Sequence, residues 1–156
     1  MEKFLEYLQE AERKIQLAEH MAYVTFPLIK EKKLLLKILS EIDVAVLNLI
    51  NSILQYEYLY KRISLTKDAR ENLRIFIEKC APRYSINNQE INSIKNLIEL
   101  TEKHRNSPFE FMRNDKVIIM SENLRTEILT IEKIKEFVIM IKNILKKTKE
   151  TMKRYY

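Results

Sequence analysis

The sequence predicts an all-α fold, an antiparallel bundle of about five helices with a small β-hairpin at about 109–120 inserted before the last helix. Three observations lead there. Apolar residues recur at alternating spacings of three and four over most of the chain, the period of a helix with one buried face. Glycine and tryptophan are absent and the prolines are only Pro27, Pro82 and Pro108, so chain-breaking residues are scarce and fall between the periodic segments. One stretch, HRNSPFEFMRNDKVIIM at 104–120, drops the helical period altogether.

Each element has its own warrant. Helix 1 is expected over about 2–26, with Phe4, Leu8, Ala11, Ile15, Ala18 and Ala22 on one face, and Pro27 ends it because the residue before a proline is driven out of the α region. Helix 2, about 28–62, carries Leu35, Leu39, Ile42, Val46, Leu49, Ile53, Tyr56 and Tyr60 in one row. Leu34, Ile38, Ala45, Leu47, Ile50 and Leu54 lie beside that row and leave a narrow polar stripe. A helix apolar most of the way round belongs at the centre. Helix 3 starts after Thr66 as N-cap and buries Ala69, Leu73, Phe76, Ile77 and Cys80 until Pro82. Helix 4 starts near Asn87 or Asn88 and runs to about 105. Helix 5 starts after Thr130 and holds Ile131, Ile134, Val138, Ile141, Leu145, Thr148 and Met152 in register to the end of the chain.

Between helices 4 and 5, FEFMR and KVIIM read as two strands joined by Asn114-Asp115. That register pairs Arg113 with Lys116, Phe111 with Ile118 and Phe109 with Met120. It places Phe109, Phe111, Ile118 and Met120 on a shared face, expected to cover one end of the bundle.

The chain of 156 residues, 46% of them apolar, is expected to form one domain, 1–156, around a single core. Without glycine there is no phosphate-cradling loop, dinucleotide fingerprint or P-loop, and nucleotide enzymes of those classes are excluded. The start, MEKFLEYLQEAERK, is charged and amphipathic, unlike a signal peptide. The single Cys80 has no internal disulfide partner. The expected location is the cytoplasm. Lys37, Glu41 and Asp43 interrupt the most apolar window, 34–54, so no membrane span is expected.

Metal chemistry has little to work with: the only His and Cys residues are His20, His104 and Cys80, and Glu-x-x-His is absent because Leu17 and Thr101 stand three before the two histidines. No metal and no cofactor is expected. Cys80 lies on an apolar helix face where a core thiol is the ordinary occupant.

Arg105-Asn106, at the end of a late helix in a helical bundle, resembles the first half of the HEPN motif, which is Arg, four to six residues, then His. HEPN proteins are five-helix domains, many of them dimeric RNA-cleaving toxins or their inactive relatives. The second half of the motif is missing, since positions 110–112 are Glu110, Phe111 and Met112. The resemblance implies that Arg105 could contact a phosphate and that His104 could stand in as general acid or base. His104 and Arg105 are therefore the catalytic candidates. The competing structural role is to satisfy the last carbonyls of helix 4 and complement its dipole.

Charge points elsewhere. Of a net +6, residues 131–156 hold eight basic and three acidic groups, so electrostatic arguments about partners concern the last helix. Lys142, Lys146, Lys149 and Lys153 recur at 4, 3, 4, with Lys147 and Arg154 beside them and Tyr155-Tyr156 following. Such a stripe suits a phosphate backbone, although a solvated helix face accounts for it as well. The expected function is a non-catalytic helical module binding RNA or a protein partner through Arg105, Arg113, Lys142, Lys146, Lys147, Lys149, Lys153 and Arg154. A divergent HEPN-like metal-independent ribonuclease and a homo-oligomeric scaffold without ligand are the alternatives, and self-association is expected in each.

Overall fold

A computed structural model describes residues 2–153. Arg154, Tyr155 and Tyr156, expected above to extend the basic stripe, lie outside the described residues. The described residues form α1 (Lys3–His20), continued by a π turn (Met21–Thr25), α2 (Lys32–Leu59), α3 (Ala69–Ile75), α4 (Asn88–Arg105), strands β1 (Phe109–Arg113), β2 (Lys116–Met120) and β3 (Thr126–Leu129), and α5 (Ile131–Lys153). A π turn (Phe76–Cys80) and a 3-10 turn (Ala81–Tyr84) follow α3. The fold is mostly α, with a small antiparallel sheet before the last helix.

The core forms where the periodic faces meet. Phe4, Leu8, Ala11, Ile15 and Ala18 of α1 are buried against α2, and the alanines let the two backbones approach closely. α2 buries Leu35, Ile38, Leu39, Ile42, Val46, Leu49 and Ile53. Its Val44 and Leu47 remain 36% and 41% exposed, so one side of this central helix still reaches solvent. Polar residues turned inward on α2 have partners there: Ser52 Oγ donates to the Phe4 carbonyl at 2.8 Å, and Glu41 forms ion pairs with Lys14 and Lys37 at 2.9 and 2.8 Å. Near the far end, buried Glu57 receives Arg62 at 2.7 Å and Arg83 at 3.3 Å, tying α2 to the 3-10 turn.

Helix ends follow local chemistry. α2 starts at Lys32 rather than 28, because Leu28 and Ile29 turn back on the Thr25 carbonyl. α3 is capped by Asp68, whose carboxylate accepts from the Arg70 amide at 2.9 Å. Thr66, the expected cap, instead accepts from the Asp68 amide and so positions that cap. Asn87 and Glu90 form a reciprocal capping box at the start of α4. Thr130 Oγ1 accepts from the Lys133 amide to begin α5.

The hairpin register is as expected, with Phe109 opposite Met120, Phe111 opposite Ile118 and Arg113 opposite Lys116. Asn114 and Asp115 both take positive φ, 51° and 62°, as a two-residue hairpin turn requires. Two expectations are corrected. The sheet has a third strand, β3, paired with β2 through Val117–Leu129 and Ile118–Ile128. The face is also reversed: Val117, Ile119 and Leu129 are at most 1% exposed, whereas Phe109 and Ile128 are 55% and 51% exposed. Phe109, Phe111, Ile118 and Met120 therefore point away from the bundle. The reason lies outside the hairpin. The inward row Glu110–Ile119–Glu127 meets the last turn of α4, where His104 and Lys103 take up both carboxylates.

Candidate nucleic-acid interface

α5 presents its cations in two directions because residues 142, 146, 149 and 153 share a face that 147 does not. Lys142, Lys146, Lys149 and Lys153 line one groove against Glu12, Ile15 and Gln16 of α1. Within it, Lys142 meets Glu19 at 2.6 Å and Lys149 meets Glu12 at 2.5 Å. Lys146 and Lys153 form no ion pair among the described residues. Lys147 points to α4, where its ammonium donates to Glu90 at 2.7 Å and to the Ser85 carbonyl at 2.9 Å. It braces α4 against α5.

Exposed ion pairs exchange partners at little cost, because their Coulomb attraction in water is offset by side-chain entropy and screened by salt. Lys142 and Lys149 are therefore available to a phosphate that outcompetes a carboxylate. Lys147, bonded to a carbonyl as well as a carboxylate, is more firmly committed.

The two catalytic candidates, adjacent in sequence, have separate carboxylate partners. Arg105 Nη2 donates to Asp43 Oδ2 at 2.9 Å, binding the end of α4 to the middle of α2. Asp43 is only 4% exposed, and burial pushes its carboxyl above the ordinary aspartate range despite Arg105 beside it, with Glu102 adding to the rise. His104 Nδ1 lies 2.6 Å from Glu110 Oε2. Glu110, at the first of the three positions where the HEPN pattern would have its His, is thus the partner of the His that precedes the Arg. On β1's open side, Lys32 donates to the Glu110 carbonyl at 3.3 Å, covering an edge that would otherwise invite another strand.

Arg113 stands apart from α5 and Arg105, at the hairpin tip opposite Lys116. Arg113 was a candidate from the sequence and Lys116 was not, although the register that places one also places the other. Sequence reasoning also missed Asp43 and Glu110, whose roles depend on contacts across 62 and 6 residues. No group of three or more His, Cys, Asp or Glu able to hold a metal exists among the described residues, and no described helix is long and apolar enough to cross a membrane. Compared with known proteins, the chain matches no family model, no curated protein and no solved structure.

Proposed function

We propose that the protein is a non-catalytic helical module that binds RNA, with the α5 groove as its principal phosphate contact and Arg105 and Arg113 as secondary ones. The observation supporting this reading is the gathering of Lys142, Lys146, Lys149 and Lys153 along one groove, two of them without a carboxylate partner among the described residues. Phosphates entering that groove release condensed counterions, so affinity falls as salt rises.

The test is anisotropy of labelled RNA against salt, for the native protein and a variant carrying Lys146→Glu, Lys149→Glu and Lys153→Glu. Lys147 is left intact because it braces α4. Three lost phosphate contacts lower the salt slope by about 2, and weak-salt affinity falls with them. Binding that ignores both salt and the three reversals sinks the reading. A protein partner in place of RNA would show as a stable complex unaffected by nuclease.

One observation favours a second reading. His104, oriented by Glu110 at 2.6 Å and next to Arg105, has the carboxylate-oriented imidazole that general base catalysis uses. A divergent HEPN-like ribonuclease built on it would cleave RNA in chelator and lose that activity in His104→Ala. Intact RNA after prolonged incubation with the native protein rejects it.

A further inference from the structure

The outward face of the sheet is chemically one-sided. Its residues on β1, β2 and β3 include Phe109, Phe111, Ile118 and Ile128 and two cations, Arg113 and Lys116, but no carboxylate. Both strand carboxylates, Glu110 and Glu127, point inward and are taken up by His104 and Lys103. Phe109, 55% exposed, and half-buried Phe111 are in ring contact, with centroids 5.4 Å apart and planes tilted by 45°.

A second feature asks for a ligand independently. Arg113 and Lys116 face each other directly across the strands, and like charges in that position are destabilising. Neither has an ion-pair partner among the described residues, and the turn carboxylate of Asp115 lies 3.5 Å from Lys30 instead. An anion between them relieves the repulsion.

Resting on the RNA-binding reading above, we infer that this sheet face is a stacking platform for single-stranded RNA. Phe109 and Phe111 take base faces, Ile118 and Ile128 extend the apolar floor, and Arg113 and Lys116 hold a phosphate. Charge complementarity selects a polyanion, and the exposed Phe109 ring with Phe111 at its edge selects one that offers unpaired π-faces. A duplex keeps its bases stacked on each other and gains nothing from the rings. The reverse side of β2 and β3 is anchored in the core by Val117, Ile119 and Leu129.

The test measures binding of a labelled single-stranded RNA and of a duplex of equal length, at low and moderate salt, to the native protein, Phe109→Ala, Phe111→Ala and the double Arg113→Glu, Lys116→Glu variant. Thermal melts confirm that each variant is folded. The expected result is a preference for the single strand, an affinity loss on the order of tenfold for each ring removed, and a larger loss for the charge reversal. RNA binding that is unchanged by both phenylalanine variants, or equal for duplex, overturns the platform and leaves the α5 reading standing. Absence of any RNA binding at low salt overturns both. A concentration-dependent dimer, or adsorption to anionic phosphatidylserine vesicles, that is lost in Phe109→Ala without RNA binding would assign this face to a second copy or a lipid surface and overturn the platform as well.

Discussion

Arg105 holds Asp43, donating from Nη2 to Oδ2 at 2.9 Å across 62 residues of sequence. The arginine side chain is 60% exposed and the carboxylate 6%, so the pair has a wet end and a dry end. Removing Arg105 strands a buried charge. Arg105→Ala is expected to lower stability at neutral pH by about 1–3 kcal/mol, the cost of an unsatisfied buried acceptor. The sign of its pH dependence follows from Asp43, whose folded pKa lies above its unfolded one. Between those two values the folded state binds more protons, so Asp43's contribution to stability falls as pH rises through the window and recovers as pH falls. Loss of Arg105 raises the folded pKa further. The deficit of Arg105→Ala, measured by urea unfolding at several pH values, should therefore shrink toward acid. A deficit that grows on acidification contradicts the buried placement of Asp43.

The reversal of the sheet can be tested by paired substitutions. Leu129→Ala removes a side chain with no exposure and should cost about 2–5 kcal/mol. Phe109→Ala, on the outward face, should cost under about 1 kcal/mol. Chemical denaturation of the two variants decides the matter, and the opposite ranking would restore the inward placement of Phe109.

Leu124 sits at φ 64° with its side chain 76% exposed. A left-handed leucine is strained by its Cβ, and here no burial offsets the strain. Leu124→Gly should raise stability on the order of 1 kcal/mol, less the extra freedom glycine has in the unfolded chain. A melting temperature below that of the native protein argues against this backbone geometry.

The Cys80 thiol is fully buried, and burial, with Glu57 adding to it, pushes its pKa up to about 12. Since the thiolate is the reactive form, a disulfide reagent at pH 8 should label the native protein only as fast as the chain opens. Rapid labelling appears once denaturant is added. Stoichiometric labelling within seconds without denaturant would place Cys80 at the surface.

Legibility in the sequence tracked how local the deciding physics was. Helix faces were legible because a period of 3.6 ties burial to spacing: the six apolar residues of helix 1 chosen by spacing alone, Phe4 to Ala22, are all buried. The cap at Thr130 was legible because the acceptor and its donor lie three residues apart, whereas the cap of α3 fell on Asp68 rather than the expected Thr66, and the start of helix 4 was placed only to Asn87 or Asn88. β3 was not legible, since TEIL is four residues long and alternation over four residues is weak.

The sequence by itself determined the bundle, the hairpin register, the concentration of positive charge on α5 and the exclusion of glycine-dependent nucleotide sites. Each is a matter of composition or of residues close along the chain. Only the tertiary structure decided which side of the sheet meets the helices, because Phe109 and Phe111 favour burial by bulk while Glu110 and Glu127 find their hydrogen-bonding partners on α4. It also decided that Arg105 serves Asp43, and that Lys147 braces α4 while Lys146 and Lys153 stand free of ion pairs among the described residues. Those assignments depend on carboxylates from other elements, and no pattern within one helix records where another helix's carboxylate will stand.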